Sequence, residues 1–297
     1  MAYLNEWTRA NPGLMIFLIN QGCSMNEHLS DGITYAEKVS MSVNRMITNM
    51  ACRFRSGYMI KDQANIVILG YGGAENNTDI SVLRSGSIAT LYNDDMVPTH
   101  RFKQEISDGT GGRLDVDCEI KQFVLPKAVG KESITSAFDT TSTLLDEWVA
   151  ISKESRHEDG NIMARDSSYD PVPVIINFSN ASSKITNQTI AFAKKIFEIG
   201  LPDGNPLIIN CIYDANPLIK GFPNLSKFVD VYYKDFGVIS SSVPHEMISQ
   251  MQECGFVNVT DISKFLFLNP SDNDLDSLMD AILWINDSGS YDNSVLR

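Results

Sequence analysis

Four short apolar runs constrain this chain more than any other feature. They are Leu14-Met-Ile-Phe-Leu-Ile19, Asn65-Ile-Val-Ile-Leu-Gly70, Pro173-Val-Ile-Ile-Asn-Phe178 and Pro206-Leu-Ile-Ile-Asn-Cys-Ile212. Runs this short, stopped by polar loops or glycine, suit strands buried on both faces, as in a parallel sheet. Helical stripes separate them. Ala36, Val39, Val43, Met46, Ile47, Met50 and Phe54 recur at helical spacing, with Glu37, Lys38, Asn44 and Arg45 off the stripe. Ile134, Ala137, Phe138, Thr141, Leu144, Leu145 and Trp148 repeat the pattern, and a further helix is expected from about Thr186 to Ile199. Alternation of strand and helix predicts an α/β fold with a largely parallel central sheet and helices on both faces.

Toward the C-terminus, Pro244 is placed to start a helix bearing Met247, Ile248, Met251 and Cys254. Phe265 to Leu268 reads as a last short strand, and Leu275, Leu278, Met279, Ile282 and Leu283 mark a final helix. Residues 74–129 break the rhythm. Turn signals at Gly86, Asp94-Asp95, Pro98 and Asp108-Gly-Thr-Gly-Gly112 flank expected short strands at Ser87 to Tyr92 and Phe123 to Leu125. The reading is one domain over 1–286 with an insertion at about 74–129, a polar loop from Ser152 to Asp170, and a polar, frayed tail at 287–297.

Composition narrows the class. The 297 residues carry 37 acidic and 24 basic side chains, a formal charge of -13. That balance argues against a nucleic-acid partner, whose site needs a basic face. The apolar stretch Leu14–Ile19 is far shorter than the roughly 20 residues that span a bilayer, so no membrane partner is expected. The N-terminal segment lacks the layout of a signal peptide. The cysteines, Cys23, Cys52, Cys118, Cys211 and Cys254, are odd in number and scattered, suggesting neither a disulfide framework nor a zinc ribbon. A cytoplasmic location is expected, and a glycan on Asn177, which follows an apolar run, is not.

In an open α/β sheet, ligands sit beyond the carboxyl ends of the strands. Phe17-Leu-Ile-Asn-Gln-Gly-Cys-Ser-Met25 there resembles the apolar strand and Asp-x-Ser-x-Ser-Met loop of the von Willebrand factor A (vWA) family, in particular its bacterial cytoplasmic members. Gly130-Lys-Glu-Ser-Ile-Thr-Ser-Ala-Phe138 is similar to that family's Gly-x-Thr-Pro-Met-x-x-Ala-Leu, and Val174-Ile-Ile-Asn-Phe-Ser-Asn-Ala181 to its strand ending in Thr-Asp-Gly. The resemblance, running from about Gly13 to Asn286, implies a vWA-like, Rossmann-like three-layer fold. It also implies a metal-ion-dependent adhesion site, where a divalent cation bridges the domain and an acidic partner.

Matched residue by residue, that site is degenerate. The family's first Asp is Asn20, its first Ser is Gly22, its second Ser remains as Ser24, the loop Thr falls on Glu132 and the later Asp on Asn180. Mg²⁺ sheds water reluctantly and relies on carboxylates, so two amides and a lost hydroxyl weaken its capture. Glu132 is the exception. It can join a cation site with Ser24, or its carboxylate can fill the vacated place and bond Asn20, Ser24 or Asn180. The expectation is a metal-free polar network with no cofactor, in a non-enzymatic protein-interaction or adaptor module. One alternative is a metal-dependent binding domain using Glu132 and Ser24. The other is an α/β hydrolase or transferase using Cys23 or Ser24.

Other motifs carry less. Gly70-Tyr-Gly-Gly-Ala-Glu75 starts like a dinucleotide fingerprint but lacks its last glycine and reads as a turn. Asp272-Asn-Asp-Leu-Asp276 and Asp115-Val-Asp-Cys-Glu119 imitate the front of a calcium loop without its later Gly and Glu, and read as solvated turns. His28, His100, His157 and His245 lack zinc-protease spacing, and no nucleophile-elbow motif is present.

Overall fold

A computed structural model describes residues 3, 5–74, 80–107, 112–153, 156–158, 161–163, 167–216, 222 and 231–283. The expected tail at 287–297 lies outside them. In chain order the elements are β1 (Gly13–Asn20), α1 (Tyr35–Arg53), β2 (Arg55–Ser56), β3 (Met59–Ile60), β4 (Ala64–Tyr71), β5 (Ile80–Ser87) and α2 (Ile88–Asn93). Then follow β6 (Thr99–Ser107), β7 (Arg113–Lys121), α3 (Ile134–Lys153), β8 (Arg156–Glu158), β9 (Asn161–Met163) and β10 (Val174–Asn180). The last are α4 (Asn187–Phe197), β11 (Leu207–Tyr213), α5 (Val231–Val238), α6 (Ile248–Glu253), β12 (Leu266–Leu268) and α7 (Asp272–Ile282).

The central sheet has six strands in the order β12-β11-β10-β1-β4-β5. All neighbours are parallel except β4 and β5, which pair antiparallel. Every residue of β1, β10 and β11 is buried, which is why these strands read as mainly apolar runs without a polar face. Alternate side chains feed two cores. Met15, Phe17, Ile19, Ile176 and Phe178 join the stripe of α1 together with Leu275, Leu278 and Met279 of α7. Leu14, Ile16, Leu18, Ile175 and Ile208 meet α3, α4 and α5 on the other face.

Local chemistry sets the helix ends. Thr34 caps α1 by accepting from the Glu37 N–H, while the Glu37 carboxylate takes the Thr34 N–H, a reciprocal capping box. Ser271 and Asp274 repeat it at α7. The acidic run at Asp272–Asp276, expected as a solvated turn, is therefore the opening of α7. Its acids face the cations of α1, in the pairs Lys38–Asp272, Arg45–Asp276 and Arg53–Asp280. Acids spaced four residues apart share one helix face, so a single face of α7 absorbs three carboxylates.

Several expectations need correction. Ser87–Tyr92 is not a strand: Ser87 ends β5 and its side chain accepts from Thr90 N–H, starting α2. Phe123–Leu125 is not a strand either: Val124 donates its N–H to Asn44 Oδ1 and its carbonyl accepts from Asn44 Nδ2, in place of ladder bonds. Residues 74–129 divide in two. β5 becomes the edge of the main sheet, whereas β6 and β7 pair only with each other as a separate ribbon. The expected loop Ser152–Asp170 contains the small β8–β9 ribbon and a 3-10 turn at Ser167–Tyr169.

Candidate functional site

The strand order reverses between β1 and β10, the place where an α/β sheet opens a crevice at its carboxyl end. Because these neighbours are parallel, Asn20 at the end of β1 and Asn180 at the end of β10 emerge at the same edge. The loop after β1 is anchored on both sides. Gln21 N–H donates to Tyr71 O (2.7 Å), Val129 N–H to Gln21 O (2.9 Å) and Cys23 N–H to Gly130 O (2.8 Å). Gly72, at φ +78° and with its missing Cβ position 2.9 Å from Glu132 Cα, lets the loop ahead of α3 press inward. Glu132 rides on that loop.

The site is a hydrogen-bonded net centred on one carboxylate oxygen. Glu132 Oε2 accepts from Asn20 Nδ2 (2.7 Å) and from Ser24 Oγ (2.7 Å). Asn20 Nδ2 also reaches Ser179 Oγ (3.1 Å) and Ser183 Oγ (3.2 Å), which bond each other at 2.7 Å. Asn20 Oδ1 accepts the Gly22 N–H at 2.8 Å. Asn180 Oδ1 accepts from Ser182 Oγ at 2.9 Å and lies 3.5 Å from Ser24 Oγ, while its Nδ2 donates to Ser24 O at 3.3 Å. Asn20 and Asn180 are each 1% exposed, so such bonds are obligatory. A Cβ on Gly22 would fall 2.8 Å from Glu132 Cβ and 2.9 Å from its Oε2, so the missing side chain makes the room that Glu132 uses.

Asn20, Gly22, Ser24, Glu132 and Asn180 thus stand together. The orientation of Asn20 decides what they can hold. Its oxygen is committed to the Gly22 amide, so its NH₂ group faces the centre of the net. A hard dication wants oxygen ligands there, and this set offers a single carboxylate with an N–H donor turned toward it, a poor fit. Among the described residues no group of three His, Cys, Asp or Glu side chains is placed to hold a metal ion.

Cys23 is exposed and contributes only its backbone N–H to the loop. Ser24 Oγ donates to the Glu132 carboxylate (2.7 Å) and lies near the Asn180 amide oxygen (3.5 Å), with no imidazole bonded to it among the described residues. Gln21 lies along Gly70 and Gly73, away from the net. Reasoning from sequence missed Ser179, Ser183 and Tyr71. The run Ser179-Asn-Ala-Ser-Ser183, dense in hydroxyls at the end of an apolar strand, is the signal that marks the first two. Tyr71 donates to Asn177 Oδ1 at 3.0 Å, and full burial pushes its phenol pKa far up, with Ser179 pulling it partly back. Asn177 is fully buried, as expected from its place in an apolar run.

No family model matches the chain, and no curated protein matches it. Among solved structures it is similar to the pilus adhesin SpaC from Lactobacillus rhamnosus GG, at 10% identity and a TM-score of 0.47, covering 94% of this chain and 31% of that one. It is similar also to proximal thread matrix protein 1 from the mussel byssus, at 9% identity and a TM-score of 0.43, covering 94% of this chain and 48% of that one. The chain thus spans less than half of either protein. No described helix is long and apolar enough to cross a membrane.

Proposed function

We propose that this chain is a non-enzymatic protein-interaction or adaptor module of vWA-like, Rossmann-like three-layer architecture, with a degenerate metal site and a protein as its partner. The order β5-β4-β1-β10-β11-β12, with one antiparallel edge, supports the architecture. One observation carries the functional reading: the Asn20 amide, locked by Gly22 N–H, turns its donor to Glu132 Oε2 at 2.7 Å. The carboxylate of the chain itself sits where a bridging cation would need oxygens, and among the described residues no nucleophile–base pair is assembled around it. Partner contact then rests on the strand-end surface or the β6–β7 ribbon without a metal bridge, in the cytoplasm.

Titration calorimetry with Mg²⁺, Mn²⁺ and Ca²⁺, on the native chain and on Glu132→Ala, tests the metal-free part. No saturable heat is expected from either protein. Saturable micromolar binding that disappears in Glu132→Ala would instead favour a metal-dependent domain using Glu132 and Ser24. The adaptor part is tested by partner capture with and without a chelator, where the captured set should be unchanged. Turnover of generic ester or thioester substrates, lost in Ser24→Ala or Cys23→Ala, would overturn the non-enzymatic reading.

A further inference from the structure

The polar net continues inward from the strand ends. Asn20 Nδ2 donates to Ser179 Oγ (3.1 Å), and the Ser179 hydroxyl lies close enough to the Tyr71 phenol to draw its raised pKa partly back. Tyr71 Oη donates to Asn177 Oδ1 (3.0 Å), Asn177 Nδ2 to Asn210 Oδ1 (2.9 Å) and Asn210 Nδ2 to Ser240 Oγ (2.8 Å). Ser240 Oγ donates to the carbonyl of Phe236, in the last turn of α5, at 2.8 Å. Each of these side chains is buried, and Ser179, Tyr71, Asn177, Asn210 and Ser240 are fully so. The chain crosses from β1 and β4 through β10 and β11 to the end of α5.

From Tyr71 to Phe236 every donor points the same way, and both ends of the series are fixed. Phe236 O can only accept, so Ser240 must donate to it and keeps a lone pair for Asn210. At the near end the Glu132 carboxylate can only accept while ionised, which holds the Asn20 NH₂ inward. Each asparagine between them accepts on one side because it donates on the other. In an interior of low dielectric such a series polarises cooperatively, and turning one amide leaves its neighbours buried and unpaired.

We propose that this buried chain makes the strand-end site and the α5–Ser240 edge one conformational unit. Displacing Glu132 is felt at Asn210, and loosening Ser240 is felt at Asn20, because coupling between two sites is reciprocal. The proposal does not depend on what binds at the strand ends.

The test uses side-chain amide resonances of the intact protein by NMR. In Glu132→Ala, the signals of Asn20, Asn177 and Asn210 should shift together. Those of Asn44, buried on the opposite face and bound to Val124, should stay in place. In Ser240→Ala, the Asn20 signal should move although its side chain makes no contact with Ser240. Shifts confined to Asn20 in the first variant would overturn the proposal, as would Asn44 moving as much as Asn210. Should Ser240→Ala not fold, the half-buried Glu132→Ala decides alone.

Discussion

Placing a carboxylate at position 20 tests how the strand-end net is held. Asn20 Nδ2 lies 2.7 Å from Glu132 Oε2 and the residue is 1% exposed, so Asn20→Asp sets two carboxylates in contact inside the protein. At about 4 Å between charge centres and an effective dielectric near 20, their repulsion is about 4 kcal/mol. Loss of the charge-assisted bond to Glu132 adds about 1.5–3 kcal/mol. The Gly22 N–H bond is kept, and Ser179 and Ser183, which accept from Asn20, can turn to donate; becoming charge-assisted, these three existing bonds recover part of this, at about 1 kcal/mol each. A net loss of about 3 kcal/mol follows, a large share of the roughly 5–15 kcal/mol that stabilises a domain. A second carboxylate also supplies what a hard cation lacked, so Mg²⁺ at a hundred times its dissociation constant should return about 2.7 kcal/mol. Urea unfolding of both proteins, with and without Mg²⁺, measures each quantity. A loss below about 1 kcal/mol, within the range of an ordinary surface substitution, would refute the reasoning. So would equal stabilisation of the native chain by Mg²⁺.

Gly22→Ala should cost about 1–3 kcal/mol by thermal unfolding, since Gly22 sits at an unstrained φ of -69° and the penalty is the collision with Glu132 alone. The phenols of Tyr71 and Tyr213 are held protonated by burial, well above their ordinary value of 10.0. A raised folded pKa gives stability that is complete below pH about 10 and lost above it, at about 1.4 kcal/mol per pH unit for each phenol. Tyr71→Phe and Tyr213→Phe should therefore flatten the alkaline fall in stability, and a fall unchanged in the double variant would count against it. Thr34→Ala removes the cap of α1 and should lower stability by about 0.5–2 kcal/mol in a denaturant titration.

The strands buried on both faces were legible because burial leaves no room for polar alternation: β1, β10 and β11 stand where their apolar runs do. Helices α1, α3, α4 and α7 were legible from a stripe that one core alone absorbs. Edge elements were not. β5, Ile80-Ser-Val-Leu-Arg-Ser-Gly-Ser87, is half-exposed and mixes serine, arginine and glycine, so it carries neither an apolar run nor a clean alternation. α5, Val231-Tyr-Tyr-Lys-Asp-Phe-Gly-Val238, is built from aromatic, β-branched and glycine residues that favour other states, and packing of Tyr233 and Phe236 against the sheet decides it. In the site, the resemblance of three loops to one family's motifs is what grouped Asn20, Gly22, Ser24, Glu132 and Asn180. The direction of the Asn20 amide was not readable, because it depends on the Gly22 N–H two residues on. Tyr71, Asn177 and Asn210 were hidden inside runs whose apolar neighbours dominate the pattern.

The surplus acid of the chain also has a place in this account. Three carboxylates of α7 are absorbed by α1, and one, Glu132, is drawn into the strand-end net by two donors. The most direct test of that net is an electron-density map, at high resolution, of crystals grown in Mg²⁺. The account predicts the Glu132 carboxylate between Asn20 and Ser24, with the Asn20 oxygen on the Gly22 amide. An octahedral ion with oxygen ligands at about 2.0–2.1 Å, flanked by Ser24, Asn180 and a Glu132 turned to coordinate it, would contradict it.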